Sequence, residues 1–117
     1  MRHRNKRIQY NRDQDHKESL LRNLATQLFL HGRIVTTRKF AAGAGSFVEK
    51  IMTRAKASDK VSAIRYLKGV LFDENASKMV LEVYLPKYEK LSSGFLRQTK
   101  IGVRPGDNAQ KVQIEFV

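Results

Sequence analysis

The sequence predicts an α/β fold of the α+β type, in which helices cover a small three-stranded sheet. Apolar residues recur at helical spacing through most of residues 16–85, and they alternate with polar residues near the C-terminus. A short β-branched segment separates the first two helical stretches. The expected order is α-β-α-α-α-β-β, because four amphipathic helices need a common surface and a small sheet supplies one.

The first helix is predicted over residues 16–31. Asp15 and Glu18 have the spacing of a capping box, with Asp15 as the N-cap residue. Gly32 follows as a C-terminal residue that tolerates a left-handed conformation. The apolar positions at helical spacing are Leu20, Leu21, Leu24, Ala25 and Leu28.

Residues 33–37 are predicted to form the first strand, because the segment is rich in β-branched side chains and too short for a helix. Thr36 or Thr37 then caps the second helix. Gly43 and Gly45 lie inside that helix and cost it about 1 kcal/mol each relative to alanine. Either they allow close backbone packing or the first turns are loose. The apolar face consists of Phe40, Ala44, Phe47, Val48, Ile51, Met52 and Ala55.

The third helix is predicted to begin after Ser58 or Asp59, and the fourth after residues 73–75. The fourth should end near Leu85, because Pro86 lacks an N–H group and clashes with the preceding turn. The predicted apolar stripe of the third helix is Val61, Ile64, Leu67, Val70 and Leu71, and that of the fourth is Ala76, Met79, Val80 and Val83.

Two strands are predicted at the C-terminus, joined by a hairpin loop. Residues 95–101 alternate moderately, and residues 104–108 are dense in turn formers. Val112, Ile114 and Phe116 then alternate with polar residues, which indicates a strand with one buried face.

The chain carries a strong excess of positive charge, with 23 Lys and Arg against 11 Asp and Glu and a net charge of +12 in 117 residues. Such an excess destabilises a free compact protein by self-repulsion, but a polyanion neutralises it. The first twelve residues hold five lysines and arginines and no acid. We therefore predict a basic N-terminal arm over residues 1–14, extended and ordered on RNA, followed by a single globular α/β domain over residues 15–117.

The sequence disfavours several classes of protein. It contains no cysteine, which excludes a disulfide scaffold, a thiolate nucleophile and a Cys-ligated zinc ion. No apolar run reaches the roughly 18 residues of a membrane span, and no apolar segment follows the N-terminal charges as in a secretory signal. His3, His16 and His31 have no carboxylates at metal-ligand spacing. We expect no catalytic residue, no cofactor, no metal, no membrane partner and no small-molecule substrate.

The cations point to RNA recognised by its shape. The predicted sheet lacks the aromatic pattern of RNA-recognition domains, so Tyr66, Tyr84 and Tyr88 are expected to pack rather than to stack on bases. Contacts to the backbone and 2′-OH groups of a preformed RNA are favoured instead. Residues 104–108 are compatible with a plain hairpin loop and with a phosphate-binding turn. The predicted RNA-binding residues are Arg2, His3, Arg4, Lys6, Arg7 and Arg12 in the arm, and Arg22, Arg33, Arg38, Lys39, Arg97 and Arg104 on the domain.

Several short motifs occur along the chain in a specific order and spacing. They are Met1-Arg-His-Arg4, Asn11-Arg12, His16-Lys17, Leu20-Leu-Arg-Asn-Leu24, Ile34-Val-Thr-Thr37, the second-helix positions Glu49, Ile51 and Thr53 to Lys56, Gly94-Phe-Leu-Arg97, Arg104-Pro-Gly-Asp-Asn-Ala109 and Ile114-Glu-Phe-Val117. Through these motifs the sequence resembles, over its whole length, the family of the bacterial large-subunit ribosomal protein numbered seventeen.

The sequence departs from the family pattern after the first strand. The family usually has Lys-Ala-Lys-Glu where this chain has Phe40, Ala41, Ala42 and Gly43, and a family arginine falls at Gly45. Cations are therefore missing at three positions, and Arg38 and Lys39 are candidates to replace their contacts. The paired glycines before the penultimate strand become Ser93 and Gly94.

The resemblance implies a two-layer α/β fold with a small mixed sheet and a structural role in the large ribosomal subunit. It implies no catalytic activity. The implied partners are large-subunit ribosomal RNA and neighbouring ribosomal proteins near the tunnel exit, in a cytoplasmic or an organellar ribosome. Two alternatives remain: a free regulatory protein that binds nucleic acid, and an RNA-processing enzyme for which the sequence offers no clear residue constellation.

Overall fold

The computed structural model describes His3 and residues 10–117. The fourth helix, α4 (Glu74–Met79), continues directly into a π-helical segment (Val80–Tyr84) and a last helical turn (Leu85–Lys87). The predicted fold class and element order are confirmed. The elements in chain order are α1 (Gln14–His31), β1 (Arg33–Thr37), α2 (Arg38–Ala57), α3 (Lys60–Val70), α4 (Glu74–Met79), β2 (Leu96–Val103) and β3 (Gln110–Phe116).

The three strands have the order β1-β3-β2, so the last strand of the chain lies in the centre of the sheet. In the register, Ile34 of β1 is paired with Ile114, and Ile114 is paired with Gln98 of β2. Both pairings are antiparallel. The expected mixed sheet is therefore wrong, because β1 and β2, which run in the same direction, are separated by β3 and share no hydrogen bonds.

The core lies between the helices and one face of the sheet. Val112 and Ile114 of β3 are buried, whereas the polar residues between them are partly exposed, which confirms the predicted single buried face. The largest fully buried side chains are Phe29, Phe95, Leu28, Ile51, Met52, Leu67, Ile114, Val48 and Val80.

Aromatic side chains join α1, the π-helical segment and the C-terminus. The ring of Tyr84 is stacked on that of Phe116 with centroids 4.1 Å apart, and its hydroxyl donates to the carbonyl of Phe29 at 3.2 Å. The Tyr88 hydroxyl donates to the carbonyl of Val117. Tyr84 and Tyr88 are buried, so these two side chains pack inside the protein, as predicted.

The starts of the helices follow the predicted positions, but not always the predicted capping. α1 begins after Asp13 without a side-chain cap, so the predicted capping box is wrong and Asp15 lies within the first turn. Gly32 ends α1 with φ 80°, and its N–H donates to the carbonyl of Leu28, as predicted. Asp59 caps α3 by accepting from the N–H of Ser62.

The predicted face of α3 is only half correct. Leu67 and Leu71 are buried, but Val61 and Ile64 are 57% and 42% exposed. The helix contacts the main core cluster through its C-terminal half, so Val61 and Ile64 remain at the surface although Ala63 between them is buried.

The predicted helix end near Leu85 is wrong, because the helical conformation continues through Pro86 to Lys87. The N–H of Leu85 donates to the carbonyl of Val80, five residues earlier, as in a π-helix. This wider turn lies directly before the proline. Proline has no N–H to donate, and the shift from i−4 to i−5 hydrogen bonds in the preceding turn lets the helix continue past it.

The end of this helix is held by a lysine from α2. Lys56 Nζ donates to the carbonyls of Tyr88 at 2.9 Å and Glu89 at 3.3 Å, and also to that of Leu91. These carbonyls lie at the negative end of the helix dipole, where a cation is favourable. Lys56 is therefore a structural residue of the fold.

Candidate nucleic-acid interface

The predicted arm falls mostly outside the described residues. Arg2, Arg4, Lys6 and Arg7 lie outside them, and His3 is described only as exposed. The part of the arm that the structure describes from Tyr10 onward contacts the helices.

Tyr10 is packed against the first turns of α2 and is only 6% exposed. Its ring lies 5.4 Å from that of Phe40, and its hydroxyl donates to the carbonyl of Lys39 at 3.4 Å. A Cβ atom on Gly43 would lie 1.8 Å from the Tyr10 oxygen. Gly43 therefore makes the space that Tyr10 fills, and this packing fixes Tyr10 on the surface of α2.

Three cations surround this aromatic pair. The Nζ atoms of Lys17 and Lys39 each lie 5.8 Å from the centroid of the Tyr10 ring, and the Arg12 guanidinium lies 5.8 Å from that of Phe40. Arg12 also donates to the carbonyl of Tyr10 at 2.7 Å. The ring faces offset part of the repulsion between these charges. The cluster concentrates positive charge around Tyr10 and Phe40.

Arg33 and Arg97 lie on opposite sides of one acid. Glu115 on the central strand is paired in register with Arg33 on β1 and with Arg97 on β2. The Nε of Arg97 lies 3.7 Å from a Glu115 oxygen, and the Arg97 side chain is largely exposed. An exposed pair of this kind contributes little to stability, so both arginines keep donors for an external anion.

Arg104 contributes to the structure of its own turn. It forms a two-point ion pair with Asp107, whose carboxylate also accepts from the N–H of Ala109. These bonds, led by the one from Arg104, lower the pKa of Asp107 to about 2. The hairpin loop predicted here is confirmed, and binding of a phosphate by Arg104 stays a prediction.

The other predicted cations are separated along α1 and α2. Arg38 and Lys39 are exposed on the first turn of α2, and Lys39 lies beside Tyr10. Arg22 is half-buried on α1 and lines a shallow concavity of 220 Å³ with Phe47. The structure thus brings Arg12 and Lys39 together around Tyr10 and Phe40, whereas Arg97 and Arg104 lie on the C-terminal hairpin.

The described residues offer no metal centre. No group of three or more His, Asp or Glu side chains among them is placed to hold an ion. His16 and His31 lie at opposite ends of α1, about 22 Å apart at 1.5 Å per residue. Within the described part of the chain, no helix is both long and apolar enough to cross a membrane.

The comparison with known families decides the relationship. The sequence pattern of the family described as Ribosomal protein L17 matches residues 20–117. The chain belongs to this family. The resemblance predicted from short motifs is therefore confirmed, and it extends from α1 to the end of β3.

Relatives in the L17 family cover nearly the whole chain. Proteins called large ribosomal subunit protein bL17 are 37% identical over 102 residues in Endomicrobium trichonymphae (87% of this chain, 86% of the relative) and 37% identical over 106 residues in Carboxydothermus hydrogenoformans (91% and 94%). The bL17 protein of Neorickettsia sennetsu is 34% identical over 117 residues, covering all of both chains.

The departures from the L17 pattern near the start of α2 have a structural explanation. Phe40 supplies the ring that contacts Tyr10, and Gly43 supplies the space for its hydroxyl. At Gly45, a Cβ atom would lie 2.8 Å from the Gln98 side-chain nitrogen, so this glycine leaves room for the end of that side chain. The helix is regular from Arg38 onward, so the alternative of loose first turns is wrong, and the close neighbours of both glycines are side chains rather than backbone. Phe40 thus packs on Tyr10 at a position where the family pattern has a cation.

Sequence reasoning missed two cations on the outer surface of the helices. Lys17 and Lys50 line one concavity together with Tyr10 and Gly43. Both residues were visible as basic positions on helices, but their proximity depends on the packing of α1 against α2. No spacing within either helix indicates it.

Proposed function

We propose that this chain is a non-enzymatic structural constituent of the large ribosomal subunit that binds ribosomal RNA and supports assembly of the subunit. Membership of the L17 family is the observation that carries the proposal. The net charge of +12 agrees with a polyanionic partner, because bound phosphates remove the self-repulsion of the free protein. In a bacterial cell this role places the chain in the cytoplasm.

We propose that residues 1–9 form the segment that reaches into RNA crevices. Tyr10, which follows this segment, is packed on α2 beside Lys17 and Lys39, so the cations of the segment are tethered to a basic part of the domain. Arg2, Arg4, Lys6 and Arg7 then meet phosphates one after another, and His3 supplies a further donor. Displacement of counterions provides the favourable free energy.

We propose that the docking face of the domain comprises Arg12, Arg22, Arg33, Arg38, Lys39, Arg97 and Arg104. These cations are exposed or half-buried, and Glu115 and Asp107 are the acids paired with them. The shape of folded RNA selects the site, since the buried tyrosines leave few rings for base stacking. Neighbouring ribosomal proteins near the tunnel exit complete the set of proposed partners.

The proposal is tested by fractionating ribosomes that contain a tagged copy of this chain. We expect the chain to sediment with purified large subunits and to be found there by mass spectrometry. Recovery only in the ribosome-free fraction, with salt-sensitive binding to duplex DNA, would show instead a free nucleic-acid-binding regulator.

The role of the arm is tested by replacing Arg2, Arg4, Lys6 and Arg7 with glutamine, which leaves Tyr10 in place. Each phosphate contact contributes about 0.7–0.9 to the slope of log affinity against log salt, so the slope for rRNA should fall by about 3. Replacement of four exposed cations elsewhere, Lys60, Arg65, Lys68 and Lys78, serves as the control. An equal loss in both variants would contradict a special role of the arm.

A further inference from the structure

Two shallow concavities are neighbours on the outer surface of α2. One, of 540 Å³, is lined by residues that include Ser46, Lys50, Arg54 and Ser93. The other, of 220 Å³, is lined by residues that include Tyr10, Ser46 and Lys50. Because Ser46 and Lys50 line both, the two are adjacent, and we call them together the α2 trough. From Gly43 to Arg54 the helix axis beneath it is about 16 Å long at 1.5 Å per residue.

The α2 trough is positively charged. Lys17 and Lys50 lie at its first part and Arg54 at its second. The two ion pairs found among residues 10–117 join Arg97 to Glu115 and Arg104 to Asp107, so neither neutralises a cation of the trough.

The acid in the trough is already occupied. A Glu49 oxygen accepts from the N–H groups of Phe95 at 2.8 Å and Leu96 at 3.2 Å, which fixes the start of β2 against α2. One of its two oxygens is thus turned toward the backbone of β2, while the carboxylate keeps its charge. Lys17, Lys50 and Arg54 outnumber this one acid, so the lining still favours an anion.

One donor of the trough packs on an aromatic ring. The Arg54 guanidinium lies 4.3 Å from the centroid of the Tyr66 ring, and a guanidinium in such a contact can also donate two hydrogen bonds to one anion. Ser46 and Ser93 are exposed and add hydroxyl donors. Lys50 is also exposed, one helical turn before Arg54, so the two cations are spaced about 5–6 Å apart at their Cβ atoms.

We infer that the α2 trough binds the sugar–phosphate backbone of a single RNA strand that continues from the arm. This inference rests on the proposed function and adds a site that the predicted RNA-binding residues do not include. Tyr10, the residue that follows the segment proposed to reach into RNA, lines the trough. Tyr10 is only 6% exposed and Phe47, the other ring of the lining, is partly buried, so the site favours phosphates over stacked bases.

The first experiment compares two double variants of the full chain on transcribed large-subunit rRNA. Lys50→Gln with Arg54→Gln should lower the salt slope of binding by about 1.4–1.8, the contribution of two phosphate contacts. The matched control, Arg65→Gln with Lys68→Gln on α3, removes the same charge outside the trough and should leave the slope close to that of the wild type. Lys50→Gln alone, at an exposed position, gives half the change and does not depend on the packing of Arg54.

The second experiment locates the RNA. The chain has no cysteine, so Ser93→Cys provides a unique site for a tethered iron chelate that cleaves nearby backbone. We expect cleavage at one contiguous run of rRNA nucleotides in assembled subunits. The same chelate attached at the control site Ser62→Cys on α3 should not cleave those nucleotides.

The outcomes separate this inference from the proposed function. Equal slopes for the two double variants, or no cleavage from position 93 in subunits that contain the chain, would overturn the trough as an RNA site and leave the ribosomal role intact. Binding of an acidic protein through Lys50 and Arg54, with rRNA affinity unchanged, would also overturn it. Failure of the wild type to bind rRNA would contradict the proposed function itself.

Discussion

Replacement of Gly43 by alanine should lower the free energy of unfolding when Tyr10 is present and raise it when Tyr10 is absent. In an ordinary helix interior, Gly→Ala stabilises by about 1 kcal/mol. Here the added Cβ atom would lie 1.8 Å from the Tyr10 oxygen and 3.0 Å from its Cζ atom, so the ring cannot keep its place.

The loss of stability cannot exceed what packed Tyr10 contributes, because the Tyr10 side chain can move out of its site into solvent. Burying an aromatic ring contributes roughly 1.5–3 kcal/mol. Subtracting the helix gain of about 1 kcal/mol, we expect Gly43→Ala to destabilise the wild type by about 0.5–2 kcal/mol. In a Tyr10→Ala background the same change should stabilise by about 1 kcal/mol.

The assay is urea unfolding of the free protein followed by circular dichroism, for the four members of the double-mutant cycle. The expected coupling energy is about 1.5–3 kcal/mol. Gly69→Ala on α3 is the control, since no atom lies within 4 Å of its added Cβ, and it should have one effect in both backgrounds. Equal effects of Gly43→Ala with and without Tyr10 would refute the packing argument.

Two further predictions concern charged side chains. Lys56→Met should lower the free energy of unfolding by about 2 kcal/mol, because the carbonyls of Tyr88 and Glu89 lose a charged donor. The control Lys50→Met should change the free energy of unfolding little. Equal urea midpoints for the two variants would count against the role of Lys56. The folded-state pKa of Asp107, about 2, lies below the usual value of 3.8, so its pairing with Arg104 stabilises the fold above pH 3.8 and this stabilisation is lost as the pH falls toward 2. The difference in melting temperature between the wild type and Asp107→Asn should therefore shrink over that acid range, and a constant difference would show that the ionised carboxylate does not matter.

Local sequence signals predicted most of the fold. Residues 33–37 were identified as β1 because β-branched residues follow a glycine that ends a helix, and the structure has the same bounds. The continuation through Pro86 was not predictable from propensity, because it depends on a π-helical register in the preceding turn. The strand directions were not predictable either, since the order β1-β3-β2 depends on contacts between distant parts of the chain.

The candidate interface was predicted less completely. The excess of cations was evident from composition, but the roles of individual residues depend on their neighbours. Phe40 was interpreted as the loss of a cation, whereas Phe40 and Gly43 together form the site for a tyrosine about thirty residues earlier. For Arg104 a signal was available, because Asp107 lies three residues later in a turn sequence, a spacing that favours an ion pair.

The central position of β3 has a consequence for synthesis of the chain. β1 and β2 share no hydrogen bonds, and each is paired only with residues 110–116. While those residues are still inside the translating ribosome, the two earlier strands have exposed backbone edges and no partner. The helices can form as they emerge, but the sheet closes only after residues 110–116 have emerged. The sheet is therefore completed later than the helices that cover it, by the strand that lies at its centre.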